Sequence, residues 1–232
     1  MYKRILLKLS GEQLQGKFGS GFDRERAHWI AEQIKPVIAA STQVVIMVGG
    51  GNYVRGSQIA GGGIQEVNAH NIGMLSTLMN AIALTDVFND TGLATRALSS
   101  VQIDQFIDQY TYRRALSHLE KSRVVIVGGG IGRPFLTTDT AALNLAQEMN
   151  CDVVIKTTKV DGVYDKDPNK HADAVRYDTL SYDQVISQGL EVMDTAAFAL
   201  ARDSDLPLRV FDMGQPGELL KILRGENIGT LV

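Results

Sequence analysis

Two stretches of the chain, "VVIMVGGG" at 44–51 and "VVIVGGG" at 124–130, are almost identical although they lie far apart. Each is a run of apolar, mostly β-branched residues that ends at three glycines. Such solid runs are typical of strands buried on both faces of a parallel sheet. We therefore expect both strands to end at the carboxyl edge of one sheet, where a glycine turn and a returning helix follow. Ligands of open α/β sheets bind at that edge.

Strand-length apolar runs alternate with helical patterns along the whole chain. The runs lie at 4–9, 44–48, 124–127, 152–156 and 208–211. The helical patterns lie at 23–40, 66–88, 139–149, 194–203 and 215–224, and Asp23 is a plausible N-cap of the first. No low-complexity tract or proline-rich linker separates them. This alternation predicts a layered α/β fold.

Composition excludes several classes of protein. The 232 residues carry a net charge of −3, with 44% hydrophobic and 21% charged residues, so we expect neither a disordered chain nor a nucleic-acid binder. Cys151 is the one cysteine, which rules out an internal disulfide, and we expect it to be buried. No uninterrupted apolar stretch approaches ~18 residues, and Lys8 interrupts the apolar N-terminal segment. We therefore expect a cytoplasmic protein that contacts no membrane.

The glycine triplets indicate phosphate binding, although tight packing alone is an alternative. Glycine permits positive φ and close approach of a ligand to the backbone, and exposed N–H groups at a helix start bind anions. The dinucleotide fingerprint G-x-G-x-x-G fails at both triplets, because Val54 and Arg133 stand where its third glycine should be. The segment "GEQLQGKF" at 11–18 imitates a P-loop, but Phe18 replaces the Ser or Thr that holds magnesium, and we expect no helix there.

Eight ordered stretches together resemble the amino acid kinase family, and within it the branch that phosphorylates UMP. They are "YKRILLKLSGE" at 2–12, "GGGNYVRG" at 49–56, "IGML" at 72–75, "PFLTTDTAA" at 134–142, "KTTKVDGVYDKDP" at 156–168, "VMDTAAFALARD" at 192–203, "LPLRVFDM" at 206–213 and "GTLV" at 229–232. The resemblance implies a single domain over 1–232, a three-layer α/β/α sandwich with a mostly parallel central sheet, and a homohexamer. It also implies transfer of the γ-phosphate of ATP to UMP in pyrimidine nucleotide biosynthesis.

The catalytic residues that the resemblance implies are Lys8, Arg55 and Asp139. A lysine inside a buried strand, as Lys8 is predicted to be, is costly unless it meets an anion. The implied ATP-binding residues are Lys8, Leu9, Ser10, Gly11, Gly51, Arg55, Thr158, Tyr164 and Asp167. Lys156 ends a predicted strand and could add positive charge at the same place. Mg²⁺ is expected to accompany ATP, held by its phosphates and water, and we predict no protein ligand for the metal.

The implied UMP-binding residues follow the second glycine triplet, apart from Gly50 and His70. They are Gly50, His70, Ile131, Gly132, Arg133, Pro134, Phe135, Leu136, Thr137 and Thr138. Thr137, Thr138 and Asp139 precede a predicted helix, so an N-capping role is also expected there. Asp194 matches a family position too, and an N-cap role explains it equally well.

Three acceptor-side positions depart from the family pattern. His70 replaces an aspartate that holds the ribose hydroxyls, and Ile131 and Arg133 replace threonine and asparagine. Either neighbours such as Asn68 or Asn71 take over, or the acceptor is altered to dUMP, CMP or another monophosphate. An amino-acid or carbamate kinase and a non-catalytic nucleotide storage or regulatory protein remain alternatives.

An effector site for GTP or UTP is implied only in outline. The segment "GKFGSGFD" at 16–23 and Arg96 match the family's effector positions, whereas Tyr112 stands where a tryptophan is usual.

Overall fold

An eight-stranded sheet organises the protein, in a computed structural model that describes residues 2–190 and 192–232, and only the backbone of Ser57. Its strand order is β10-β9-β6-β1-β2-β5-β3-β4, and every neighbouring pair is parallel except β10 with β9. The bounds are β1 Arg4–Leu9, β2 Gln43–Val48, β3 Thr95–Ser99, β4 Asp108–Gln109, β5 Val124–Gly128, β6 Val153–Thr158, β9 Leu208–Asp212 and β10 Thr230–Leu231. A separate antiparallel pair joins β7 Val163–Tyr164 to β8 Arg176–Tyr177. The two glycine-ended runs are thus the neighbours β2 and β5.

Helices cover both faces of this sheet. They are α1 Arg24–Ala39, α2 Gly56–Ile59, α3 Glu66–Asp90, α4 Tyr112–Leu119, α5 Thr138–Glu148, α6 Tyr182–Ser187, α7 Thr195–Asp203 and α8 Glu218–Leu223. One apolar core packs α1, α3 and α8 against the sheet, and a second packs α4, α5, α6 and α7 against the other face. The predicted three-layer α/β/α sandwich is confirmed.

All five predicted strands and all five predicted helices are present, with shifted ends. Asp23 caps α1 by accepting from the backbone N–H groups of Glu25 and Arg26. The last predicted helix begins three residues later, at Glu218, because Gly217 before it has a left-handed φ of +80°. The P-loop imitation at 11–18 forms two 3-10 turns and no α-helix, as expected. Cys151 is buried, also as expected.

Side-chain alternation along β1 decides where Lys8 points. Ile5, Leu7 and Leu9 pack into the core of α1, α3 and α8, whereas Leu6 packs into the core of α5. Lys8 therefore lies on the α5 side, since successive side chains of a strand point to opposite faces. The same alternation places Lys156 of β6 on that side, and the parallel register pairs Lys8 with Lys156. Two lysines thus lie next to each other beneath α5.

Helix α3 is long and apolar enough, by length and composition, to cross a membrane. One of its faces, with Ala81, Leu84 and Phe88, is fully buried in the core against the sheet. A core helix therefore accounts for much of its apolar character. The sequence was expected to contain no helix of this length and hydropathy, because polar residues interrupt the apolar run in α3.

Both glycine turns pack tightly against α3. A Cβ on Gly50 would lie 1.8 Å from the Ser76 hydroxyl, and a Cβ on Gly128 would lie 3.0 Å from Leu78. Gly129 and Gly130 adopt φ values of +86° and +56°, which favour glycine. Tight packing is therefore one real reason for the triplets, and it holds both turns at the sheet edge.

Gly50→Ala should destabilise the protein, because the new methyl group collides with Ser76 on α3. Overpacking of this kind costs about 1–3 kcal/mol. The matched control is Gly51→Ala, whose Cβ would meet nothing closer than 3.5 Å. Urea unfolding of the two variants measures the difference, and equal losses of unfolding free energy would contradict the packing account.

Candidate active site

A cavity of about 720 Å³ opens at the carboxyl edge of the sheet. The ends of β1, β2 and β6, the start of α5 and one face of α3 surround it. Of the predicted site residues, it is lined by Lys8, Ser10, Gly11, Gly50, Gly51, Arg55, His70, Leu136, Thr137, Thr138, Asp139 and Thr158, and also by Lys156. The structure therefore brings predicted site residues from five separate segments together around one cavity.

The floor of the cavity holds a buried triad of charges. The Asp139 carboxylate lies between two ammonium groups, with Oδ1 at 2.7 Å from Lys8 Nζ and Oδ2 at 2.7 Å from Lys156 Nζ. The three side chains are between 9% and 14% exposed. Lys156 also donates to the backbone carbonyl of Val192. Although Lys8 is close enough for an ion pair, Oδ1 of Asp139 accepts no hydrogen bond of good geometry from the described residues. That oxygen keeps unused hydrogen-bonding capacity.

Burial and charge act in opposite directions on the triad. Burial raises the pKa of the Asp139 carboxyl, but the charges of Lys8 and Lys156 outweigh it and hold the pKa below its ordinary 3.8. Burial and the neighbouring Lys8 lower the pKa of Lys156 below its ordinary 10.5, and Asp139 opposes that shift. The triad carries one net positive charge, in a site built to receive an anion.

The start of α5 fixes Asp139 in place. Thr137 is the N-cap and accepts from the backbone N–H groups of Asp139 and Thr140, at 3.0 and 3.4 Å. The Asp194 carboxylate accepts from the hydroxyls of Thr137 and Thr140 and caps α7 through Ala197 N at 2.9 Å. Asp194 thus is an N-cap, as predicted, and also ties α7 to α5. The positive end of the α5 dipole favours the Asp139 carboxylate and any phosphate above it.

A second charged group lies at the cavity mouth. Glu12 forms an ion pair with Arg55, and its other oxygen lies 3.5 Å from Lys159 Nζ. Arg55 is one of the expected catalytic and ATP-binding residues, whereas the sequence indicates no role for Glu12 or Lys159. Their neighbourhood arises from two loops that follow β1 and β6, so no local signal pointed to it.

Buried amides hold the loops that line the cavity. Asn80 of α3 donates to the carbonyl of Gly49 at 2.7 Å and exchanges hydrogen bonds with Asn52 at 2.7 and 2.9 Å. Gln13 accepts from the Thr157 hydroxyl at 2.8 Å and donates to the Thr158 carbonyl at 2.9 Å. These residues were also missed, because a buried amide has no recognisable spacing in a sequence.

The predicted acceptor residues divide into two groups. His70 lines the cavity and packs against the Phe135 ring, with centroids 4.8 Å apart. Ile131 lines a separate cavity of about 170 Å³, and Arg133 is exposed. Gly132, Pro134 and Phe135 belong to the same loop but do not line the large cavity. Phe135 has a φ of +67°, which is strained for a non-glycine residue.

The predicted donor residues divide in the same way. Ser10, Gly11 and Thr158 line the cavity, whereas the Leu9 side chain is fully buried in the core, which leaves its backbone as the only part available to a ligand. Two others lie in the segment that follows β6, outside the cavity: Tyr164 ends β7, and Asp167 lies in the loop after it. Tyr164 donates to Asp161 at 2.5 Å, and Asp167 accepts from the backbone N–H of Asn169.

The acidic side chains that line the cavity are Glu12 and Asp139. The described parts of the chain contain no group of three or more His, Cys, Asp or Glu side chains arranged to hold a metal ion. The two cavity carboxylates, Glu12 and Asp139, are each engaged by two cations.

Glycine turns, buried lysines and a helix start around one open cavity define an α/β protein that binds phosphate groups. The chain belongs to the amino acid kinase family, whose model matches residues 3–212. It is 53% identical to the uridylate kinase of Xanthomonas euvesicatoria over 100% of this chain and 96% of that protein. The crystal structure of UMP kinase from Bacillus anthracis superposes with a TM-score of 0.94 at 40% identity, covering 99% and 95% of the two chains. The UMP kinase from Ureaplasma parvum gives a TM-score of 0.92 at 31% identity, covering 100% and 99%.

Asp139→Asn should destabilise the protein, because it leaves Lys8 and Lys156 charged, buried and next to each other. Removing one partner of a buried ion pair costs about 3–5 kcal/mol. The folded pKa of Asp139 is below 3.8, so its contribution is complete above that pH and is lost as the pH falls through the folded value. Urea unfolding from pH 7 to pH 3 should therefore show a stability gap between the two proteins that narrows below about pH 4. A gap independent of pH would contradict this assignment.

Proposed function

We propose that the protein transfers the γ-phosphate of ATP to UMP and so forms UDP and ADP. The observation that carries the proposal is the buried Lys8–Asp139–Lys156 triad beneath a glycine-lined cavity. The relatives named uridylate kinase and UMP kinase support UMP as the acceptor. We propose a role in pyrimidine nucleotide biosynthesis, and a cytoplasmic location because both substrates are intracellular metabolites.

The reaction needs alignment and charge neutralisation more than covalent help. The transferred phosphoryl group carries charge on its equatorial oxygens while the attacking and leaving oxygens stay in line. Lys8 and Lys156 supply fixed positive charge at the cavity floor, and Asp139 keeps both ammonium groups charged and aimed. Because they are already desolvated and held in place, they need no reorganisation when the transition state forms.

The two nucleotides occupy opposite halves of the cavity in this proposal. Ser10, Gly11 and Thr158 lie at the ends of β1 and β6 and would hold the ATP phosphates, with the Tyr164 loop beside the adenosine. Gly50, His70, Leu136, Thr137 and Thr138 lie toward α3 and α5 and would hold UMP. The α5 N-terminus then points at the reacting phosphates.

Mg²⁺ fits this site only as a companion of the nucleotide. Each oxygen of Asp139 lies 2.7 Å from a lysine ammonium group, and the described residues offer no cluster of three or more acidic or His side chains for a metal. ATP phosphates and water would hold the ion, which would neutralise phosphate charge when bound. GTP or UTP effectors, for which 16–23, Arg96 and Tyr112 are the proposed region, stay a prediction.

Lys8→Ala should lower kcat by about 10²–10⁴, the usual loss for one electrostatic contact to a transition state. The matched control is Lys35→Ala, which removes an exposed lysine of α1 that pairs with Glu32. Coupled-assay kinetics measure kcat, and circular dichroism checks that the fold survives. Near-normal turnover of Lys8→Ala would remove this residue from the mechanism.

ADP release with UMP, dUMP, CMP and AMP tests the acceptor. We expect UMP to react fastest, with weak discrimination against dUMP, because an imidazole such as that of His70 accepts at most one hydrogen bond from the sugar hydroxyls. Restoring the family residues, as His70→Asp with Arg133→Asn, should raise the UMP-to-dUMP ratio about five- to a hundred-fold, the value of one buried hydrogen bond. Equal ratios would show that these positions do not read the sugar. An absence of ADP release with every monophosphate would favour a storage or regulatory protein.

We also propose that the protein assembles into a homohexamer through the outer face of α3. On this face Ile72, Leu75, Met79 and Ile82 are between 37% and 50% exposed. Their spacing forms an apolar stripe of the kind that packs against another helix. Exposed apolar patches of this kind mark interaction sites, and a second copy offers the same apolar stripe.

Leu75→Glu with Met79→Glu should therefore reduce the assembled mass, since each copy would bury two charges in the contact. Light scattering after gel filtration measures the mass. Val175→Glu is the control, because it places one negative charge on an exposed apolar residue outside α3. An unchanged mass of the α3 variant, or a monomeric parent protein, would contradict the proposal.

A further inference from the structure

The cavity contains a carboxylate that the proposed reaction does not use. Six charged side chains line it. They form an inner and an outer layer, and each layer has one carboxylate between two cations. In the inner layer, Asp139 lies between Lys8 and Lys156. In the outer layer, Glu12 lies between Arg55 and Lys159. A carboxylate at the mouth of a site for polyphosphates repels its ligand, so its presence needs a reason.

The outer layer differs from the inner one in exposure. Side-chain exposure is 27% for Glu12, 51% for Arg55 and 66% for Lys159, whereas no member of the inner layer exceeds 14%. Exposed ion pairs on long side chains are weak and exchange their partners easily. The outer ion pairs can therefore open when a stronger anion enters, whereas opening the inner ion pairs would cost much of the stability of the folded protein.

The carboxylate of the outer layer comes from an anchored turn, whereas its cations come from long, more exposed side chains. Glu12 lies in the 3-10 turn Gly11–Leu14, and the next residue, Gln13, is buried and bonded to Thr157 and Thr158. Arg55 and Lys159 reach Glu12 from two other loops by long, flexible side chains. The turn therefore fixes the Glu12 backbone, and the longer side chains of Arg55 and Lys159 reach the Glu12 carboxylate.

The Glu12–Arg55 pair lies next to the glycine backbone that phosphates would approach. A Cβ built on Gly51 would lie 3.5 Å from Arg55 Nε and 3.7 Å from Glu12 Cγ. The pair is thus in van der Waals reach of Gly51, one of the proposed ATP contacts. A nucleotide that reaches this backbone must come between the two side chains or turn Arg55 toward its own phosphates.

We propose that Glu12 is a placeholder anion: it holds Arg55 and Lys159 over the cavity in the nucleotide-free protein and gives them up to the phosphates of the incoming nucleotide. The proposal rests on the proposed function, because it requires that a nucleoside polyphosphate binds here. Glu12 is a positioning residue in this account, since it acts through the two cations. Glu12 weakens nucleotide binding by the free energy needed to open its ion pairs with Arg55 and Lys159.

Binding of ADP by isothermal calorimetry, in EDTA and without a divalent cation, tests this directly. Glu12→Gln keeps the shape of the side chain and removes the charge, so the affinity for ADP should rise roughly two- to ten-fold, the value of one or two exposed ion pairs. The same change in an Arg55→Ala, Lys159→Ala background should have a clearly smaller effect, because no pair remains to be opened. Glu32→Gln, which removes an equal charge from the surface of α1, is the matched control and should leave the affinity unchanged.

The outcomes separate the two proposals. An affinity that falls or stays the same in Glu12→Gln would overturn the placeholder, and so would an increase of equal size in both backgrounds, which would reflect simple repulsion of the ligand. A parent protein that binds no ADP would overturn the proposed function and the placeholder with it.

Discussion

The site depends on one electrostatic constraint: two buried lysines on adjacent strands need one aspartate between them to compensate their charge. The parallel register of β1 and β6 places Lys8 opposite Lys156, and strands lie about 4.8 Å apart. Two ammonium groups buried on adjacent strands repel each other, and burial together with Lys8 lowers the pKa of Lys156. Asp139 can compensate this repulsion only if the first turn of α5 places its carboxylate between Lys8 and Lys156. The Thr137 cap and the Asp194 tether to α7 are therefore part of the active site in energetic terms, although neither needs to touch the reacting atoms.

The glycine turns serve the same arrangement from the other side. Gly50 and Gly128 let β2 and β5 end against α3 without a side chain in between, and Asn80 fixes the first turn through the Gly49 carbonyl. The result is an edge where backbone groups, and not side chains, face the cavity above the triad. The glycines thus allow tight packing against α3 and leave the backbone of Gly50 and Gly51 exposed to the cavity.

The sequence predicted what local patterns encode. Solid apolar runs predicted the central strands, helical periodicity predicted the main helices, and a lysine in a buried strand predicted an anion partner for Lys8. Short elements such as α4 and β10 were missed, because they depend on contacts with distant segments. Glu12 was missed for the same reason, since only the folded loops bring it to Arg55. The remaining site residues were predicted from the resemblance, which could not show that Ile131 lines a second, smaller cavity.

The central claim is that Asp139 keeps the two lysines charged in a buried place, and the pKa of Lys156 tests it most directly. That pKa can be followed by NMR of the ¹³Cε–¹⁵Nζ group in the parent protein and in Asp139→Asn. The account predicts a pKa below 10.5 in the parent, because burial and Lys8 lower it, and a clearly lower value in the variant, because the opposing effect of Asp139 is gone. An unchanged Lys156 pKa on removal of the carboxylate would contradict the account.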